Sequence, residues 1–191
     1  MPPHRRAVPL GTALLLVALT SGCSFGGDEK PVIDLQQARS RIDAVLDGTS
    51  GALKPAVGYR DGSYEARVHV DWKQDSDGKA LLRKRRDLGP MISPEKAGVL
   101  LGQASDYWKA QGYSVKEDPA ARNPCSVSAT LPDGTQVFIE LYDAGNAYIG
   151  ASVDPVKDPG STYPFRSEET AHPTVDPTPG PGKQDDPYWS H

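Results

Sequence analysis

Residues 125–141 read CSVSATLPDGTQVFIEL, and the fold follows from them. Cys125, Val127, Ala129 and Leu131 alternate with Ser126, Ser128 and Thr130, a period of two that puts apolar side chains on one face of a strand and hydroxyls on the other. Pro132-Asp133-Gly134 turns the chain, and Val137, Ile139 and Leu141 resume the alternation. A second turn over Asp143 to Asn146 leads into Ala147 to Val153. The stretch therefore predicts an antiparallel meander with one buried and one solvated face.

Working outward toward the N-terminus, Tyr64, Ala66, Val68, Val70 and Trp72 alternate with Glu65, Arg67, His69 and Asp71, which predicts another half-buried strand. Lys73 to Gly78 reads as a polar turn, and Ala80-Leu81-Leu82 with Arg83-Lys84-Arg85-Arg86 as its hairpin partner, although the alternation fails there and a short helix competes. Two helices are expected. One is capped by Asp34, carries Leu35, Ala38, Ile42, Val45 and Leu46 at helical spacing, and stops at Gly48. The other starts at Ser93-Pro94-Glu95, a hydroxyl cap, a proline at the first helical position and an acid near the positive dipole end, and runs to Gly112. It should bury Ala97, Leu100, Leu101, Ala104 and Trp108. Tyr113-Ser114-Val115 reads as a short strand. The order predicts an α+β fold of two layers, an antiparallel sheet with two helices on one face.

The N-terminus has a different logic. His4-Arg5-Arg6, the apolar run Leu10 to Leu19 and the small pair Ser21-Gly22 are the three parts of a secretory signal, and Cys23 follows at once, so Leu19-Thr20-Ser21-Gly22-Cys23 resembles a bacterial lipobox. The apolar run is short of the roughly 20 residues that span a bilayer. Residues 1–22 read as a signal peptide, 23–30 as a lipidated tether, 31–155 as the α+β domain and 156–191 as a disordered tail rich in proline. At about 3.3–3.6 Å per residue, the tether keeps the domain close to the membrane. Cleavage removes Arg5 and Arg6 but no acid, taking the formal charge from −4 to −6; nucleic acid, which wants a basic face, is not an expected partner. Of the two cysteines, a lipidated Cys23 leaves Cys125 without an intramolecular partner, and its apolar phase predicts a buried thiol.

The signal, the run Tyr107-Trp108-Lys109-Ala110-Gln111-Gly112-Tyr113-Ser114-Val115 and the run Leu131-Pro132-Asp133-Gly134-Thr135 resemble small lipoproteins of unknown function common in actinobacteria. That resemblance implies a diacylglycerol on Cys23 and a place on the outer face of the cell membrane. It brings no further functional residues.

Chemistry-bearing patterns are few. His69 is the only one of the four histidines inside the domain; a hydrolase-like site would pair it with Asp71 or Glu65 on the same strand face, and a solvated sheet surface has the same composition. Asp75-Ser76-Asp77-Gly78 has the flavour of a calcium loop, but Lys73 and Lys84 stand where that loop needs acids, so it reads as a turn and no metal is expected. Arg83, Lys84, Arg85 and Arg86 form the sharpest charge feature and are candidate contacts to anionic headgroups or wall polymers. The terminal Tyr188-Trp189 pair could dock a partner, against the default of a frayed end. With no phosphate loop, metal spacing or nucleophile motif, the expectation is a non-enzymatic accessory or interaction module whose partners are the membrane, through its lipid, and an envelope protein or anionic polymer.

Overall fold

A computed structural model of the chain describes residues 30–117, 125–142, 144–160 and 185–191. The expected signal peptide, all of the tether but Lys30, and residues 161–184 of the expected tail lie outside them. The elements run α1 (Leu35–Ala52), β1 (Tyr59–Asp61), β2 (Glu65–Val70), β3 (Ser76–Leu88), α2 (Pro94–Ala110), β4 (Ser114–Glu117), β5 (Cys125–Thr130), β6 (Gln136–Leu141) and β7 (Ala147–Lys157). All seven strands join one antiparallel sheet in the order β1-β3-β7-β6-β5-β4, with β2 also paired to β3. Because β7 takes one edge of β3, β1 and β2 share the other, β1 along Arg86 to Leu88 and β2 along Ser76 to Arg83. The expected α+β fold is the observed one.

The meander pairs as its alternation requires. Ala129 stands opposite Val137 and Val137 opposite Ala151, and all three are buried. Ile42, Val45 and Leu46 of α1, with Leu100, Ala104 and Trp108 of α2, cover this apolar face, which also carries Ile139, Ile149 and Val153. Burying each large side chain contributes roughly 1.5–3 kcal/mol.

Both helices begin where their caps predict. Asp34 accepts a hydrogen bond from the Gln37 amide at 2.8 Å. Ser93 occupies the cap position of α2 without a side-chain capping bond; its amide donates instead to the Trp189 carbonyl at 2.8 Å. At the far end of α2, the Tyr113 amide donates to the Trp108 carbonyl and the Gly112 amide to Lys109, a Schellman closure with Gly112 at φ 77°. Gly48 does not stop α1, which continues to Ala52. It is a notch: a β-carbon there would collide with the Tyr107 hydroxyl of α2. Beside it the Trp108 indole donates to Thr49 Oγ1 at 2.9 Å, and Thr49 donates to the Val45 carbonyl at 2.7 Å.

Three further boundaries differ from expectation. The hairpin partner of β2 is a strand of 13 residues, and the turn that joins them is narrower than Lys73 to Gly78, with Asp71 Oδ1 accepting from the Lys73 and Asp75 amides at 2.7 and 3.0 Å. The domain does not end at Pro155, since Val156 is fully buried and bridged to Ile33. Nor do the last seven residues described, 185–191, fray. Trp189 is 0% exposed, its indole donates to the Pro55 carbonyl at 3.3 Å, and Ser190 Oγ donates to the Met91 carbonyl at 2.8 Å.

Candidate binding face

In a sheet, residues paired across strands share a face, so the register maps the surface opposite the helices. One row reads Arg83, Ser152, Gln136, Thr130, Ser114; the next Arg85, Gly150, Phe138, Ser128, Lys116; the third Asp87, Tyr148, Glu140, Ser126. Five of these fourteen positions are serine or threonine, four of them on β5 and β4 at the far side. The centre of the face is aromatic.

Phe138 and Tyr148 meet edge to face at 5.8 Å, and Tyr142 stacks on Tyr148 at 5.9 Å. The Phe138 ring lies over Gly150, where any β-carbon would strike it, so the glycine sets how closely the aromatic layer approaches the backbone. The Tyr148 hydroxyl donates to Glu140, and the Tyr142 hydroxyl donates to the same carboxylate oxygen at 3.4 Å. Burial, then the hydrogen bond to Glu140, push the Tyr148 phenol well above its usual range. Arg85 lies with its guanidinium 5.4 Å from the Tyr148 ring centre and is paired with Asp87 at 3.2 Å. Amphipathic rings locked by each other and by one carboxylate form a rigid platform, with Tyr142 still 45% exposed.

The basic run divides between the two faces of β3. Arg83 and Arg85 are on the open face, Arg83 donating to Glu65 at 2.7 Å. Lys84 and Arg86 point under the sheet against α1, where they are 9% and 2% exposed. Lys84 Nζ lies 2.9 Å from Asp43 and 3.5 Å from Asp61. Arg86 reaches Asp61 at 2.7 Å, Asp47 at 2.9 Å and Ser50 at 3.1 Å, with its guanidinium 3.9 Å from the centre of the Tyr59 ring. Burial alone would lower the Arg86 pKa; its hydrogen bonds to Asp61 and Asp47 outweigh that and hold it above the ordinary value. Tyr64, under Lys84 at 4.9 Å, is pushed up by burial and by Asp43. The four cations expected as one contact surface are thus two surface ion pairs and one internal network, because the strand period sends alternate side chains to opposite sides.

His69 is on the rim of the open face, and its partners are neither of those the sequence suggested. Its Nε2 is 2.9 Å from Asp154 and its Nδ1 3.8 Å from Asp77, whereas Glu65 is held by Arg83 and Asp71 by the turn amides. A cleft of about 490 Å³ opens at the opposite end of the sheet, lined by Met91, Ile92, Pro94, Leu141 and Tyr142 among others, and does not include His69. Among the described residues no group of three or more His, Cys, Asp or Glu could hold a metal ion, and no helix is long and apolar enough to cross a membrane. Cys125 begins β5 opposite Leu141, but its side chain lies outside the described residues, as does Cys23.

Reading by alternation overlooked the platform, since Phe138 and Tyr148 fall on the polar phase of their strands. Large aromatics out of phase were the available signal. Compared with protein-family models and with curated proteins, the chain matches none.

Proposed function

We propose that this chain is a lipid-anchored, non-enzymatic module on the outer face of the cell membrane that engages an envelope protein through its open sheet face. The anchor is a diacylglycerol on Cys23. The observation that carries the binding half is the Phe138–Tyr148–Tyr142 platform with Glu140 and Arg85, on the side of the sheet that the helices leave uncovered. Tyrosine and arginine are the residue types that dominate protein interfaces, because they offer large rigid area with a polar handle. An anionic polymer is a poorer occupant: Lys84 and Arg86 are spent inside the fold, and Arg83 and Arg85 each already face a carboxylate.

A photo-cross-linking residue at Tyr142, compared in cells with one at the exposed Val99 of α2, tests the binding reading. A discrete protein adduct from position 142, absent from 99 and lost in Tyr148→Ala, is the expected result. Equal adducts from both positions, or an adduct indifferent to Tyr148, would refute it. For the anchor, a labelled fatty acid should mark the wild-type protein and leave Cys23→Ala unlabelled.

A further inference from the structure

Trp72 is 85% exposed, the most exposed of the large hydrophobic side chains among the described residues, and Val70, two residues before it, is 51% exposed. Val70 ends β2 in its apolar phase and Trp72 stands two residues on, in the turn; the sequence alternation would make both core residues if the sheet continued under them. It does not. Pairing with β7 ends at Lys79–Lys157, while β2 and β3 go on together to Val70–Ser76. Among the described residues the hairpin therefore projects past the last β3–β7 pair with its apolar side uncovered, and Trp72 is at its tip.

The tip is built to hold that shape. Asp71 Oδ1 accepts the Lys73 and Asp75 amides, the Gln74 amide donates back to the Asp71 carbonyl at 3.0 Å, and Gln74 takes a positive φ of 70°. On the β3 side, Ser76 Oγ donates to Asp158 at 3.3 Å and the Asp158 amide donates to Gly78 at 2.9 Å, bracing the hairpin against the end of β7. Lys73 Nζ stands 5.0 Å from the centre of the Trp72 ring.

The chain enters the domain at this same end. Ile33 bridges Val156 near the end of β7, its amide donating to Pro155 at 3.4 Å and its carbonyl accepting from Lys157 at 2.9 Å. Val156 in turn pairs with Ala80 and Ala80 with Val68. At about 4.8 Å between neighbouring strands, the entry point and the Trp72 hairpin are separated by only about 15 Å across the sheet. Seven residues, Ser24 to Lys30, separate Cys23 from Pro31.

We propose that the β2–β3 tip is a second membrane contact, with Trp72 seated at the headgroup level of the bilayer that holds the Cys23 anchor. This rests on the anchor reading above and adds an orientation to it. Tryptophan is the side chain whose flat apolar ring and N–H donor suit the boundary between acyl chains and water, and a lysine beside it can turn its ammonium to the phosphate layer. Asp71, Asp75 and Asp77 stand against Lys73 and Lys79 around the tip, so it carries no excess of positive charge. Contact through the ring predicts insensitivity to salt and to anionic lipid, unlike adsorption of a basic patch. A tether alone leaves the domain free to tumble; a second contact at the same end points the opposite end of the sheet away from the membrane.

Intrinsic fluorescence reads this directly, because Trp108 and Trp189 are both 0% exposed and Trp72 alone can meet lipid. The membrane-purified protein is reconstituted in phosphatidylcholine vesicles with and without brominated acyl chains. A blue shift and loss of emission with brominated lipid are expected, both absent in Trp72→Phe and unchanged at high salt. A parallel arm carries Cys23→Ser with an oligohistidine at the start of the tether, held on nickel-chelating vesicles. No quenching in this arm overturns the Trp72 contact whatever the state of Cys23. Quenching here, with no lipid mass on the N-terminal peptide of the native protein, keeps the contact and removes the natural anchor. Quenching abolished by salt would show electrostatic adsorption and overturn the proposal as stated.

Discussion

Removing the indole of Trp189 should destabilise the domain far more than its place two residues before His191 would suggest. The side chain is fully buried, its N–H is bonded to Pro55, and its carbonyl is the partner of the Ser93 amide at the start of α2. Truncating a buried tryptophan to alanine costs about 3–5 kcal/mol when the site cannot collapse. Here there is an upper limit, because residues 185–191 can undock as a terminal segment rather than tolerate a cavity; the loss cannot exceed the free energy of docking. Trp189→Ala and deletion of residues 185–191 should therefore give nearly the same stability. At about 4 °C per kcal/mol for a domain of this size, both melting points should fall by about 10–20 °C. Thermal unfolding followed by circular dichroism measures this, with urea unfolding as a check. Unchanged melting in either variant would refute the docking, and a point substitution much worse than the deletion would refute the limit.

Three further outcomes follow from the interior and the open face. Arg86→Met should cost about 3–5 kcal/mol by taking from Asp61 its nearest cation and leaving it only Lys84 at 3.5 Å, while Arg83→Ala and Arg85→Ala stay below about 1 kcal/mol as surface pairs do; equal losses from all three, by urea unfolding, would contradict the division of the run. Gly48→Ala should cost about 1–3 kcal/mol through the clash with Tyr107, part of it recovered when Tyr107→Phe removes the hydroxyl, and an additive double mutant would count against that contact. Tyr64 and Tyr148 have raised folded-state pKa values, so their contribution is complete below the ordinary phenol pKa of about 10 and is lost as pH climbs above it. Their contribution should thus be constant through neutral pH and be lost in the alkaline range, the alkaline loss being less steep in Tyr148→Phe, and an alkaline titration at the phenolate band should show both phenols ionising only as the chain unfolds.

The meander was legible in the sequence because strict alternation over 125–141 has one structural solution, and the helix starts because Asp34 and Ser93-Pro94-Glu95 are local signals. The centre of the sheet was not. Alternation breaks at Lys84 and Arg86 since both hold core positions as ions, and what makes them tolerable there, Asp43 and Asp47 on α1 and Asp61 on β1, is distant in the chain. A trace was present: Asp43, Asp47 and Ser50 recur at helical spacing along one side of α1. Gly48 carried the sequence mark of a helix end, and only the neighbouring Tyr107 shows it to be a point of close approach. The final residues were misread for the same reason, since a lone tryptophan among prolines carries no local sign of the cavity it fills. The aromatic platform was partly hidden by its own chemistry, with Glu140 between the tyrosines reading as an ordinary solvated strand position.

The internal ions also settle where α1 can sit. Its buried stripe, Ala38, Ile42, Leu46 and Ser50, recurs every four residues, so a slide of one turn, about 5.4 Å, would set one stripe member nearly where the next belongs, and apolar packing alone discriminates weakly between the two placements. The ions discriminate strongly. Slid one way, Arg39 would come opposite Lys84, cation against cation. Slid the other way, Gly51 would face Arg86 and leave that guanidinium without Asp47. The pairs Lys84–Asp43 and Arg86–Asp47 act as the cuts of a key: a helix docked out of step during folding meets an electrostatic penalty at once, and only the native alignment lets the interior close.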